Sequence, residues 1–457
     1  MKQTTINNLD TATQHSKQSH KDGKKIFKIV ENNYRNNLES DYTEKIKELD
    51  RNFHYSNNSN HYWTEPEQSI LYGTPLYDVA SSTQKIALNH LFWVSQYNYA
   101  AYSEIETIDY NQITADCFSN IGSDYEIISR QLEHESAQER VHIHAFFKVN
   151  YQTIKALLDN QAFSTPIGTK LSEYHQIDLQ LSNYQYYALR FITKMMLTGK
   201  QRYDSPYLRK LEETRKFTSA TTRGFFHGRG VIPSHLVRFF ALNWGSSPFL
   251  ASQYYTVRFI GNMLLKNQEH SMFAYFKKIN NQDNFVPIPT ALSYYHFLDE
   301  AFHTSTSLFL AREIQKTFPK PTAYEKFLIN LAVYLIQRIN LSQLSGVVRN
   351  RFFGDDISGM IDIYRLLKSS IFAMSHKEAV HWVERCFCYE HEGFHQSAQS
   401  HKRLLSEARQ LCEHLDYLWP ANREMHIMAE GGSIDKAVRN NIKTFKQFSK
   451  LSTSLNQ

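Results

Sequence analysis

Apolar residues recur at three- and four-residue spacing along most of the chain after about residue 82, and this spacing predicts amphipathic helices. Glycine or proline residues separate most of these stretches, as at Gly122, Pro287 and Pro319. No internal repeat and no strand-rich region is visible in the sequence, so we predict an all-α fold. The predicted helical stretches are 83–110, 124–158, 170–200, 247–279, 290–317, 322–342, 358–374, 376–417 and 434–453.

The first sixty residues have a different, polar composition rich in Asn, Lys, Ser and Thr. We expect the first twenty or so to be disordered and a helix to lie within 26–50. The sequence therefore predicts three regions: a polar, partly disordered N-terminal region (1–60), a helical-bundle core (61–317) and a C-terminal helical extension (318–457). A basic insertion is expected within the core at about 151–245.

The composition narrows the class of protein further. With 16 glycines and 11 prolines among 457 residues, the chain is poor in turn formers, and its 14% aromatic content argues against extensive disorder. The N-terminus lacks the apolar core of a signal peptide, and the apolar stretch 327–336 is too short for a membrane helix. The chain has four unevenly spaced cysteines, Cys117, Cys386, Cys388 and Cys412, which do not form a disulfide framework. We therefore expect a cytoplasmic protein without a membrane span.

Positive charge is concentrated in one stretch of the chain. The net charge is only +6, and no nucleic-acid-binding motif is present, so we expect no nucleic-acid partner. Between Lys194 and Arg238, however, ten basic residues are opposed by three acidic ones, an excess of seven. This stretch is interpreted either as an ordinary solvated face or as a docking surface for an acidic carrier protein, a ferredoxin or an anionic substrate.

Four Glu-x-x-His pairs occur, whereas a random order of this composition would contain about one. Residues three apart lie on the same face of a helix, so such a pair presents a carboxylate and an imidazole to one metal centre. Hard carboxylates and borderline imidazoles suit iron or manganese. The pairs are Glu139/His142, Glu300/His303, Glu378/His381 and Glu392/His395.

The segment around Glu300 gives the strongest signal, because His296, Glu300 and His303 share one helix face among aromatic residues. A hydrogen-bonded network without metal is the alternative interpretation. Glu139 and His142 are better supported as metal ligands when they are taken as partners of this face. Glu104 is chosen over Glu106 in an earlier helix, because its stripe is more apolar and carries small alanines that leave room for a metal.

The two remaining pairs are predicted to lie on one helix, 376–417. Fourteen residues at 1.5 Å each separate them by about 21 Å, so they cannot share a metal centre. Cys388, Glu392 and His395, with His391 as an alternative to Glu392, also share a face of that helix and form a weak zinc candidate. A histidine-rich helix without metal is the plainer interpretation.

Taken together, these residues resemble the di-iron N-oxygenases typified by p-aminobenzoate N-oxygenase. The likeness covers about 83–315, and the run HFLDEAFH (296–303) is similar to the signature of that family. The resemblance implies a ferritin-like bundle in which His296 is an additional histidine ligand. The implied metal ligands are Glu104, Glu139, His142, Glu269, His296, Glu300 and His303.

Glu269 is the least certain of these residues, and Glu173, Glu212 and Glu213 are its alternatives. The sequence departs from the family pattern in a longer gap between His142 and Glu269. It departs again in the roughly 140 residues that follow the bundle.

The resemblance implies two iron ions (with manganese as the alternative), O₂, a bridging peroxide and an external electron donor. The implied reaction is N-oxygenation or hydroxylation of an amine-containing or aromatic small molecule. One alternative is a ferritin-like hydroxylase or desaturase that acts on a carrier-bound substrate. Another is a metal-free helical interaction protein, and a homodimer is compatible with the sequence.

Overall fold

The computed structural model describes residues 25–158, 205–214 and 234–455, together with positions 188, 191, 195 and 196. Every regular element among these residues is a helix, which confirms the predicted all-α fold. The expected disordered tail, most of the predicted helix 170–200 and most of the basic stretch lie outside the described residues.

Seventeen α-helices are numbered here in chain order across the described segments. They are α1 (25–39), α2 (Thr43–Asn52), α3 (Tyr55–Asn58), α4 (Pro75–Val79), α5 (Ser82–Ser119), α6 (Glu126–Leu158), α7 (Pro206–Thr214), α8 (Ser234–Trp244), α9 (Pro248–Asn280), α10 (Ile288–Glu313), α11 (Ala323–Asn340), α12 (Ile357–Lys368), α13 (His376–Cys388), α14 (Glu392–Cys412), α15 (Pro420–Arg423), α16 (His426–Gly431) and α17 (Ile434–Leu455). Short 3₁₀ turns cover Pro66–Gln68, Ser123–Tyr125 and Ile314–Thr317.

Four long helices form the central bundle. Helix α5 has 38 residues without glycine or proline, and a reciprocal pair of side-chain to backbone hydrogen bonds between Ser81 and Gln84 caps its start. It packs along α6, while α9 packs along α10. Helix α10 begins with Pro289 in its first turn, where the missing N–H costs nothing. The N-terminal α2 lies against α6 and α10 and so covers one side of the bundle.

Two separate apolar cores fill the bundle and its surroundings. One contains Trp93 and Phe146, and the other contains Ile128 and Leu264. Between them the four long helices carry a layer of buried charged and polar side chains rather than apolar ones. Buried polar groups need partners, so the contacts within this layer are the part of the fold that bears on function.

The C-terminal helices pack around the bundle and correct one prediction. Helix α11 packs on α9, while α12, α13 and α17 contact one another. The single helix predicted over 376–417 is wrong, because α13 ends at Cys388 and α14 begins at Glu392. The side chain of His391 contacts the carbonyl of Cys386 at 2.7 Å, and the Gly393 N–H donates to the carbonyl of Gly73 at 3.3 Å. A tertiary contact therefore holds the break where the sequence carries no proline.

No helix in the described segments is both long enough and apolar enough to span a bilayer.

Candidate metal centre

Three of the four long helices bring two triads of ligand-type side chains together in the polar layer. Within each triad the candidate ligand atoms all lie within 4.8 Å of one another. The first triad takes one residue from each of α5, α6 and α10, and the second takes one from α6 and two from α10. The first consists of Glu104, His142 and His296, and the second of Glu139, Glu300 and His303.

The two triads are in direct contact. Nδ1 of His142 lies 3.3 Å from a carboxylate oxygen of Glu139, and Nε2 of His296 lies 3.9 Å from Glu300. Glu139 also lies 3.4 Å from Nδ1 of His303. Six of the seven residues predicted as ligands are thus gathered in one place, which suits a pair of neighbouring metal ions rather than a single one.

Glu269 belongs to neither triad but adjoins the first. Its Oε1 atom lies 2.7 Å from Nδ1 of His296, while Nε2 of His296 lies 3.0 Å from Glu104. The imidazole therefore lies between two carboxylates on its two nitrogen atoms. Among the alternatives, Glu213 is exposed on α7 and Glu173 lies outside the described residues. Glu212 lies on α7, and Glu106 is buried on α5 like Glu104.

Several buried atoms of the centre that could bind a metal have no hydrogen-bond partner. They show whether the residues present fit a metal ion. They are Oε2 of Glu104, Oε1 of Glu269 and Nδ1 of His296. The last two atoms are close but do not align as a hydrogen bond. Lone pairs left unpaired in a buried site are costly, and metal cations satisfy carboxylate and imidazole lone pairs together. The donor set therefore fits iron or manganese, which the six triad residues and Glu269 would hold.

Burial and mutual contacts shift the pKa values of these groups in opposite directions. Burial, strengthened by the nearby Glu139 carboxylate, raises the pKa of Glu104 to about 7. Burial opposes the charged form of His142, but hydrogen bonds to Asp299 and Glu139 outweigh it and raise its pKa to about 9. Without metal, a protonated imidazole thus offsets part of the carboxylate charge.

The second triad shows the same balance. Burial disfavours the charged forms of all its members, yet the two imidazole neighbours His142 and His303 hold the pKa of Glu139 below its ordinary value. The charge of Glu300 in turn raises the pKa of His303 well above its ordinary value. Metal ions would replace these protons as the positive charges of the layer.

Two residues that were not predicted from the sequence contact Nε2 of His142 and of His303. We call Nε2 the outer nitrogen, because it faces away from the triad carboxylates. Oδ2 of Asp299 lies 3.1 Å from Nε2 of His142, and Oε1 of Gln138 lies 3.0 Å from Nε2 of His303. Each directly precedes a ligand-type glutamate, in the parallel motifs QExxH (138–142) and DExxH (299–303). That shared position was the signal available in the sequence.

A second polar layer lies one helical turn from Glu139. Nη1 of Arg258 lies 2.6 Å from Oε2 of Glu135, and Gln131 donates to the other oxygen of Glu135 at 3.2 Å. The amide of Gln131 also donates to Thr306 at 2.7 Å. Nothing in the spacing of these residues marked them as partners, because they come from three different helices.

The other two Glu-x-x-His pairs have different roles. Glu378 accepts a hydrogen bond from the Ser375 backbone N–H at 2.8 Å and so caps the start of α13. Glu392 and His395 are exposed on α14. No ligand-type group that includes Cys388, His391, Glu392 or His395 is found within the described part of the chain. The zinc candidate therefore has no support.

A small cleft between α9 and α10 reaches the centre. Its lining includes Glu269, Glu300, Lys266 and Phe297, and its volume is about 10 Å³. That is room for about one water-sized molecule. A larger substrate requires the helices or their side chains to move apart.

Comparison with known proteins gives one match. The family model described as "Acyl halogenase CylC-like" matches residues 25–449, which include all four bundle helices and α1. No curated protein and no solved structure matches the chain.

Proposed function

The chain belongs to the CylC-like acyl halogenase family, and from this premise we propose that it is a dinuclear metal enzyme that uses O₂ to modify a carbon atom of an acyl group. The observation that carries the proposal is the pair of adjoining triads at the centre of the bundle, of whose six residues all but the half-buried Glu300 are buried. The family description is that of an oxidative enzyme, because replacing hydrogen by a halogen taken from a halide ion oxidises the substrate.

The proposed reaction replaces a C–H bond by a carbon–halogen bond. The carbon–hydrogen group and the halide ion together give up two electrons and one proton. An external donor supplies two more electrons, and O₂ accepts all four and becomes two water molecules with four protons. Where water supplies the new atom instead of halide, the carbon–hydrogen group and water give up two electrons and two protons, and the product is hydroxylated.

The chain's own residues prepare the centre for this chemistry. The metal pair, when bound, supplies the O₂-reducing power. The triads and Glu269 hold the ligand atoms, while Asp299 and Gln138 orient His142 and His303 so that Nδ1 of each faces the carboxylates. Tyr97 and Phe146 pack around His296 with ring centroids 5.8 and 4.9 Å away and exclude bulk water from that side.

The family match favours an acyl substrate over an amine, and the N-oxygenation implied by the earlier resemblance stays a prediction. An acyl group carried on an acidic carrier protein is the substrate form that we propose, with the basic stretch 194–238 as the docking region. Of the basic side chains in that stretch, those of Arg209 and Lys210 are described, and both are exposed on α7.

Metal analysis and product analysis test the proposal together. We expect elemental analysis to find about two iron or manganese ions per wild-type chain and a marked loss in Glu300→Ala, with Glu392→Ala as the matched control. Turnover of a carrier-bound acyl chain with O₂, a reductant and bromide is expected to give a brominated product by mass spectrometry. Less than a tenth of a metal ion per chain after anaerobic loading would instead favour the metal-free interaction protein.

A further inference from the structure

The two Glu-x-x-His motifs support each other through a crossed pair of contacts. Asp299 on α10 holds the outer nitrogen of His142 on α6, and Gln138 on α6 holds the outer nitrogen of His303 on α10. The geometry of the two contacts is nearly the same, at 3.1 and 3.0 Å. Their chemistry is not, because one support is a carboxylate and the other a neutral amide.

This difference changes the strength of the two imidazoles as ligands. An imidazole whose outer N–H donates to a carboxylate gains electron density and binds a metal more strongly. A neutral amide oxygen provides less of this effect. His142 is therefore the stronger donor of the two, and His303 the weaker.

The N-terminal helix holds the Gln138 amide in place. Asn37 on α1 is fully buried and forms a reciprocal amide pair with Gln138, with N···O distances of 3.2 and 3.0 Å. Burial opposes the charged form of Asp41, yet Thr43 and, to a smaller degree, the Gln138 side chain hold the pKa of Asp41 below its ordinary value, as amide hydrogens facing that carboxylate do. Oε1 of Gln138 faces Nε2 of His303 at 3.0 Å, so Nε2 carries the proton of that contact. Nδ1 of His303, which lies 2.9 Å from Glu300, is then the nitrogen that would bind a metal.

The other candidate ligands also make the two metal positions unequal. Around His142 and His296, Glu104 and Glu269 add two carboxylates to the two imidazoles. Among the described residues no further carboxylate adjoins the second triad as Glu269 adjoins the first, and one member of the second triad, Glu139, also contacts His142 in the first. The position at the second triad is thus poorer in donors of its own.

We propose, on the basis of the function proposed above, that the two metal positions are unequal by construction. The position at Glu139, Glu300 and His303 binds its ion more weakly, and Asn37 acts as a positioning residue that sets this strength through Gln138. The position at Glu104, His142 and His296 binds more tightly because Asp299 supports His142.

Anaerobic titration calorimetry with Mn²⁺ tests this proposal, with the bound metal counted by elemental analysis. Wild-type protein is expected to bind in two steps. Asn37→Ala should raise the dissociation constant of the weaker step by about 10-fold and leave that of the tighter step unchanged. Residues that contact a metal ligand from outside typically change metal affinity by about 10- to 100-fold. Gln138→Glu should strengthen the same weaker step, and Asp299→Asn should weaken the tighter step.

Asn36→Ala is the matched control, since Asn36 is the exposed neighbour of Asn37 on α1. The proposal is overturned if Asn37→Ala changes neither step, or if Asn37→Ala and Asp299→Asn weaken the same step. If the Asn37 variant does not fold, as judged by circular dichroism, Gln138→Glu decides by the step that it changes. Fewer than two Mn²⁺ per wild-type chain would instead contradict the proposed function itself.

Discussion

Nη1 of Arg258 lies 2.6 Å from Oε2 of Glu135, and neither side chain is more than 2% exposed. This ion pair joins α9 to α6 one helical turn from the candidate metal centre. A buried charge that loses its partner keeps its desolvation cost, so the pair is far more sensitive to the loss of one member than to the loss of both.

Arg258→Met is therefore expected to lower the free energy of unfolding by about 3–5 kcal/mol, because it leaves the Glu135 carboxylate buried and unpaired. The double variant Glu135→Gln/Arg258→Met should recover much of this loss. Urea unfolding followed by circular dichroism measures both. A double variant as unstable as the single one would show that the cost lies in packing rather than in charge.

His296→Ala is expected to lower the metal content from about two ions per chain to about one or fewer, because His296 belongs to the first triad and touches Glu269 as well. Elemental analysis measures the content, and circular dichroism checks that helicity is retained. His395→Ala provides the control, because His395 is an exposed histidine from another Glu-x-x-His pair. Full metal content in the His296 variant would remove this residue from the centre.

His90 should make stability fall in mild acid. Burial lowers its pKa to about 4, while the side chain contacts the His61 carbonyl at 2.8 Å and stacks on Trp63. The unfolded chain, with an ordinary pKa of about 6.5, binds the proton more readily. The stabilisation of the folded state by neutral His90 is thus complete above about pH 6.5 and is lost as the pH falls towards 4. It amounts to on the order of 3 kcal/mol in total.

The measurement is the free energy of unfolding between pH 7 and pH 4, taken from urea titrations. His90→Gln should flatten this dependence relative to wild type. His395→Gln, at an exposed histidine, should not. Parallel curves for wild type and the His90 variant would contradict the assignment.

Charge reversal on α7 tests the docking region. Arg209→Glu/Lys210→Glu should raise KM for a substrate on an acidic carrier protein by about 10-fold and leave KM for a small pantetheine thioester unchanged. Lys443→Glu/Lys446→Glu makes the same charge change at exposed positions of α17. Equal effects of the two variants on the carrier-bound substrate would point to net charge rather than to docking.

The helices of the bundle and most of the candidate ligands could be predicted from spacing alone. The faces that carry Glu139 with His142, and Glu300 with His303, follow from helical geometry within a few residues. Their meeting in space could not follow from either motif, because it depends on how α6 packs against α10. The resemblance to a known family supplied that step, and it also supplied Glu269.

Residues whose roles depend on a distant partner were not predictable. Gln138 and Asp299 act on histidines of the opposite helix, and Arg258 finds Glu135 only once α9 is packed against α6. The break between α13 and α14 escaped prediction for the same reason, because the chain near Gly73 holds it. The role of Glu378, in contrast, could have been predicted locally, since the sequence SHKE (375–378) is an ordinary helix-capping signal.

The contacts of the N-terminal segment also fix an order of assembly. The backbone N–H of Tyr42 donates to Asp299 at 3.4 Å, across 257 positions of the chain, and Asn33 donates to Thr306 across 273. On the ribosome, the first helix is therefore made long before the residues that it must hold. Contacts of such sequence separation form late and slowly. Because His303 lies about two thirds of the way along the chain, the candidate centre can be completed only after that much of the polypeptide has been synthesised.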